Sequence, residues 1–191
     1  MSNAERLVAL EVIKQEVEAC AECPLALGRT NIVFGEGNPE ASVVFLGEAP
    51  GQTEDETGRP FVGRAGKLLD NMIQSMNLKR EDVFILNICK CRPPNNRKPT
   101  PTEMEKCGHF LVRQLEIIKP KVIIALGNTA LGGLTGKDGG ITKRCGVWES
   151  SENFPGIKIM PCYHPSALLR NPNWKEPAWR ALQEVVKELG L

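Results

Sequence analysis

Four short apolar runs recur along the chain: "SVVFLG" (42–47), "DVFILN" (82–87), "KVIIALG" (121–127) and "IKIMPC" (157–162). Each is nearly continuous in aliphatic and β-branched residues, the pattern of strands covered on both faces and not of strands with one wet face. Between the runs the period changes to that of a helix. Leu7, Leu10, Ile13 and Val17 predict an amphipathic helix over 5–19, and Leu68, Leu69, Met72, Ile73 and Met76 share one side of the segment after the first run. Thr100, Pro101 and Glu103 stand in the order of an N-cap, a first-turn proline and a capping-box acid, so a helix begins there. A shorter helix is expected from Asn128, and Trp179, Leu182, Val186 and Leu189 make the apolar face of a last one. Alternating strands and helices predict an α/β architecture with a mostly parallel sheet, in one domain spanning 1–191.

In open parallel sheets, ligands bind on the loops that leave the carboxyl ends of the strands. Here those loops start at Glu48, Asn87, Asn128 and His164, with Phe61 close behind the first. The first loop, "GEAPGQTEDETGRPFVG" (47–63), sets acidic residues between glycine and proline corners. Gly51 has no side chain to keep a ligand from the main chain. The segment is no dinucleotide fingerprint, since it lacks G-x-G-x-x-G and no helix is expected directly after it. His164 precedes Pro165, which favours an extended or turn conformation, whereas His109 falls inside a helical pattern and reads as structural.

Composition narrows the setting. The 191 residues are 41% hydrophobic and 25% charged, and no apolar run reaches the ~18 residues of a membrane span. The first twenty residues lack the apolar block of a signal peptide, so the cytoplasm is the expected location. A net charge of +1 gives no global pull towards nucleic acid, but the charge is clustered. Lys90, Arg92, Arg97 and Lys98 fall in "KCRPPNNRKP", Arg59, Arg64 and Lys67 after the acidic loop, and Lys143 and Arg144 further on.

The seven cysteines are an odd number, and in a reducing compartment they suit a metal or a core better than disulfides. Cys20 and Cys23 form C-x2-C, while Cys91 and Cys107 flank the basic loop. Four thiolates suit zinc or an iron–sulfur cluster, and the spacing does not separate the two. Cys89 and Cys162 read as buried thiols, and Cys145 has no assigned role.

Taken together, "CAECPLALGRTNIVFGEGN", "VVFLGEAPGQTEDETGRPFVGRAG", "NICKCRPPNNRKPTPTE", "CGHF" and "CYHPSALLRN" resemble the family 4 uracil-DNA glycosylases, the iron–sulfur branch of that superfamily. The resemblance implies a three-layer α/β/α sandwich around a central four-stranded parallel sheet. It implies that Gly47, Glu48 and Ala49 line a uracil pocket with Glu54 behind them, that Phe61 stacks on the flipped base, that Asn87 reads its polar edge and that His164 donates to O2. His164, Asn87 and Glu48 are then the catalytic residues. Cys20, Cys23, Cys91 and Cys107 would hold a structural [4Fe–4S] cluster that also ties the N-terminal helix to the domain, with zinc as the alternative.

Ser166 would meet a DNA phosphate, one of Leu168, Leu169 or Arg170 would wedge into the base stack, and Arg92 and Arg97 would contact the backbone. The expected partner is uracil-containing DNA, single- or double-stranded, bound by a monomer without a membrane; a sliding clamp is left open. In the best-known branch of the superfamily an aspartate occupies the position of Ala49, and this chain has no carboxylate there.

Overall fold

The computed structural model describes residues 1–191. A two-residue strand β1 (Glu36–Gly37) and four longer ones, β2 (Val43–Gly47), β3 (Phe84–Asn87), β4 (Val122–Leu126) and β5 (Lys158–Cys162), form one sheet in the order β1-β3-β2-β4-β5. Every residue of β2, β3 and β4 is buried. Successive side chains of a strand point to opposite faces, so burial throughout means that both faces are covered. β5 lies at an edge, which is why it tolerates Pro161, a residue with no N–H to give to a second neighbour.

The expected four-stranded parallel sheet is corrected to a five-stranded mixed one. β2, β3, β4 and β5 are parallel, but β1 pairs antiparallel with β3 through Glu36 opposite Ile85 and Gly37 opposite Phe84. Two residues carry no periodicity for a pattern to reveal. The pairing is so close that a Cβ on Gly37, at φ +136°, would lie 1.9 Å from the Val83 carbonyl oxygen, so only glycine fits there.

Nine helices complete the fold: α1 (Asn3–Ala19), α2 (Leu25–Gly28), α3 (Gln52–Thr57), α4 (Arg64–Gln74), α5 (Pro101–Ile118), α6 (Asn128–Thr135), α7 (Ile141–Arg144), α8 (Pro165–Arg170) and α9 (Lys175–Leu189). α5 starts as its residues require, with Thr100 Oγ1 accepting from Glu103 N and the Glu103 carboxylate accepting from Thr100 N. α3 occupies part of the acidic stretch expected to be a bare loop. Its Glu54 and Asp55 lie in the first turn, where the positive end of the helix dipole favours them.

Two apolar faces are narrower than their periodicity suggests. α1 buries Leu10, Ile13 and Val17 but leaves Leu7 52% exposed, and α9 buries Ala178, Ala181, Leu182 and Val185 while Trp179 stays 53% exposed. α1 packs along α5. It is held there by Arg6, whose Nη1 donates to the Ile117 and Ile118 carbonyls at 2.7 Å, and by an Arg113–Glu16 ion pair. A basic group on the last carbonyls of a helix is a favourable cap. A single cluster of 45 buried residues runs through the sheet and the helices on it, and no helix is long and apolar enough to cross a membrane.

Candidate functional site

The carboxyl ends of β2, β3 and β5 bring Gly47, Asn87 and His164 to one rim of the sheet. Gly47 and Asn87 are direct partners in the parallel ladder. A Cβ built on Gly47 would lie 2.3 Å from Asn87 Oδ1 and 2.5 Å from Phe61 Cζ, so the amide and the ring both close over the bare main chain of this glycine. Asn87 Oδ1 is buried with no hydrogen-bond partner. A buried acceptor left unpaired costs about 1–3 kcal/mol, so this oxygen is set to receive a donor from a ligand.

The Phe61 ring stands 5.5 Å from the His164 ring, tilted by 35°. Phe61 itself has φ +50°, a left-handed conformation that non-glycine residues rarely adopt. Its loop is pinned from α3, where Glu54 Oε1 accepts from Val62 N at 3.0 Å and from Gly63 N at 2.9 Å. Glu54 therefore shapes the pocket by holding the segment that carries Phe61.

His164 is the N-cap of α8, and its Nδ1 accepts from Ser166 N at 3.1 Å and lies 2.7 Å from Ser166 Oγ. A main-chain N–H can only donate, so Nδ1 presents its lone pair and the ring proton resides on Nε2. Burial, and to a lesser degree the Arg170 cation, push the imidazole pKa down to about 4, with Glu54 opposing. At neutral pH the residue is an uncharged donor through Nε2. Its loop is held by Tyr163 stacked on Trp174, with centroids 4.8 Å apart and 9° between the rings. On the other side lies Gly127, where an added Cβ would come within 3.4 Å of His164 Cβ.

The remaining sequence candidates divide. Glu48 and Ala49 are half-buried at the turn after β2, and the Glu48 carbonyl accepts from Cys89 N at 3.1 Å. Asn128 is turned to a local task, its Oδ1 accepting from Ile141 N at 2.9 Å. Ser166 is engaged with His164, as above. Leu168 is only 2% exposed and belongs to the core, so it cannot enter a base stack without unpacking; Leu169 and Arg170 face outward.

Arg92 Nε donates to Asn96 Oδ1 at 2.7 Å, and Arg97 makes a two-pronged pair with Glu103 at 2.8 and 2.9 Å. That pair and the Thr100 N–H hold the Glu103 carboxyl down at about 2. A cavity of about 850 Å³ lies at the opposite end of the sheet, beside Val122 and Lys158 at the amino ends of β4 and β5, and none of the candidate residues lines it.

The expected [4Fe–4S] cluster, and zinc in its place, are corrected. No three Cys, His, Asp or Glu side chains are placed where they could hold a metal ion. Cys20, Cys23, Cys91 and Cys107 do border one space, but it measures about 20 Å³, room for roughly one water. Two of the four sulfurs are engaged by protein donors: Arg29 Nη1 reaches Cys91 Sγ at 3.3 Å, and Lys90 N reaches Cys107 Sγ at 3.3 Å. The N-terminal helix is tied down by Arg6 and Glu16 instead of by a metal.

Sequence reasoning also missed several residues. Asp55 is buried and accepts from Thr30 N and Asn31 N, anchoring the segment before β1 to α3. Arg80 and Glu36 stand behind Phe61. All three lie in short polar stretches whose pattern carries no signal beyond a turn.

The profile of the uracil DNA glycosylase superfamily matches residues 34–184. The chain is 53% identical over 163 residues to the type-4 uracil-DNA glycosylase of Thermotoga maritima, covering 85% of this chain and 84% of that protein. It is 45% identical over 182 residues to the type-4 uracil-DNA glycosylase of Archaeoglobus fulgidus, covering 88% and 87%. To that of Sulfurisphaera tokodaii it is 48% identical over 176 residues, covering 88% and 79%.

Proposed function

This chain belongs to the uracil DNA glycosylase superfamily and to its type-4 group, and on that premise we propose that it hydrolyses the N-glycosidic bond of deoxyuridine in DNA, releasing uracil and leaving an abasic site. The observation that carries this reading is the buried, unpartnered Asn87 Oδ1 beside the Phe61 ring, with the neutral His164 next to it.

A base inside a duplex is stacked and paired, so it is first extruded, at a cost of a few kcal/mol. Stacking on Phe61 returns about 1–3 kcal/mol. Asn87 Oδ1 accepts from the N3–H of uracil; cytosine has an acceptor at that position and would leave both groups buried and unpaired. The Glu48 to Gly51 turn blocks the methyl group of thymine.

As the bond between N1 and C1′ breaks, its electron pair leaves with the base and positive charge grows on the sugar. His164 Nε2–H donates to O2, where the negative charge collects, and DNA phosphates stabilise the cation. Water then adds to C1′ and gives up a proton to solvent, so that the products are the C1′ hydroxyl of the abasic site and the uracil anion, which takes a proton from solvent on release. With alanine at position 49 and Glu54 Oε1 accepting from Val62 and Gly63, Glu48 or the second oxygen of Glu54 orders that water. Leu169 or Arg170 fills the gap in the stack, and Arg92 meets phosphate.

The test is base release from single- and double-stranded oligonucleotides carrying one uracil, thymine, cytosine or hypoxanthine, followed by alkali. Breaks are expected at uracil, and intact uracil strands in every format would refute the activity. Gly47→Ala is expected to lower kcat/KM on uracil by ~100-fold, because a Cβ 2.3 Å from Asn87 Oδ1 and 2.5 Å from Phe61 Cζ displaces each by the ~1 Å that suffices for such a loss. An unchanged kcat/KM would show that the two groups do not act on the base.

A further inference from the structure

We propose that Arg80 is a positioning residue for the base-stacking ring, gripping the main chain of Pro60 and Phe61 so that the ring stays over the pocket. The inference rests on the reading of Phe61 as the stacking wall.

A side-chain-bearing residue in the left-handed region persists only where its surroundings impose that conformation. Around Phe61 the imposition comes from two directions. Glu54 takes the N–H groups of Val62 and Gly63, on the chain just after the ring. Arg80 takes the carbonyls on the other side: Nη1 donates to Phe61 O at 3.1 Å, and Nη2 donates to Pro60 O. α4 passes so near that a Cβ on Gly66 would lie 1.9 Å from the same Phe61 oxygen, which leaves the carbonyl no room to turn away from the guanidinium.

Arg80 is itself held. Its Nε donates to Glu36 Oε1 at 2.8 Å and its Nη1 to Asp70 Oδ1 at 2.8 Å, with the side chain 22% exposed. Glu36 also takes Arg59 in a two-pronged pair at 2.9 Å, one residue before Pro60. This gives the antiparallel edge strand a task, because β1 is the element that brings Glu36 to both arginines. The planar fork of arginine serves two carbonyls and two carboxylates at once, whereas a lysine ammonium has three donors on a flexible stem. The contacts of Arg80 are all with main-chain carbonyls and carboxylates, so its effect on the reaction is expected to pass through the ring.

The test is a double-mutant cycle of Arg80→Ala and Phe61→Ala, read as single-turnover uracil release, the dissociation constant for uracil-containing DNA, and Tm. Arg80→Ala is expected to slow release by ~10-fold or more with the DNA dissociation constant little changed, and to add less than ~2-fold in the Phe61→Ala background, because both changes act on one ring. Arg80→Lys is expected to restore little of the rate.

Losses that multiply in the double variant would overturn the inference while leaving the stacking reading intact. A wild-type rate for Arg80→Ala, or full rescue by lysine, would overturn it as well. A wild-type rate for Phe61→Ala would remove the stacking reading and the inference with it. If Arg80→Ala does not fold, the cycle of Arg80→Lys with Phe61→Ala, which keeps the charge but not the fork, decides by the same criterion.

Discussion

Replacing His164 by alanine is expected to slow uracil release by ~10²–10³-fold while changing the affinity for uracil-containing DNA by less than ~3-fold. The asymmetry follows from the geometry of the ring. Nδ1 is committed to Ser166 N, so the ring's single donor is Nε2, the group that meets O2 on the proposed reading. Uracil O2 carries little charge in the bound substrate and much more as the glycosidic bond breaks, so a fixed donor there acts mainly on the transition state. Single-turnover kinetics and an equilibrium binding titration check it together. Equal losses in rate and affinity would mean that His164 merely binds.

The protonation state has its own signature. With the folded pKa at about 4, the ring is neutral throughout the ordinary working range, and release is expected to show no titration near the usual imidazole value of about 6.5. A break in the pH–rate profile near 6.5, lost in the alanine variant, would contradict this state. The same shift sets a sign for stability. The unfolded chain binds this proton more tightly, so the residue's contribution to stability is complete above about 6.5 and is lost as pH falls from there towards 4.

Asn87→Ala is expected to abolish most of the activity without destabilising the free protein. Loss of a paired polar contact inside a closed site lowers the rate by ~10³-fold or more and removes the preference over cytosine, because the site then has no group left unpaired by the wrong base. In the DNA-free protein, however, the same amide oxygen is buried without a partner. Deleting it relieves a penalty of about 1–3 kcal/mol, against which stands a loss of packing of similar size. The measurements are base release on uracil and cytosine substrates and a thermal melt. A Tm far below wild type would show that Asn87 is structural, and retained activity would show that the base is read elsewhere.

The position of several candidate residues on one rim is legible in the sequence because they lie at or just beyond the ends of strongly patterned elements. Gly47 and Asn87 terminate apolar runs and His164 follows one by two residues, and runs of that kind announce buried parallel strands whose carboxyl ends form one rim. Phe61 and Glu54 are candidates by resemblance and not by pattern, and the bonds that Glu54 Oε1 accepts from Val62 N and Gly63 N have no sequence signal. Leu168 was offered as a wedge because it neighbours Leu169 and Arg170, yet neighbours on a helix face different ways, and Leu168 turns into the core. The four cysteines stand around one space, as their resemblance suggests, but not in a metal-holding arrangement.

What the chain's pattern settled alone were the matters decided by near neighbours: four strands from continuous apolar runs, the start of α5 from Thr100, Pro101 and Glu103, and the α/β class from their alternation. Only the folded molecule decided the antiparallel edge strand, the width of the buried faces of α1 and α9, the tautomer of His164 and the grip of Arg80 on Phe61. The edge strand, the buried faces and the grip of Arg80 depend on groups far apart in sequence coming together, and the tautomer on the turn geometry that brings Ser166 N onto His164 Nδ1. Local period and propensity report which side of an element is apolar, but which distant partner closes on it is a property of packing.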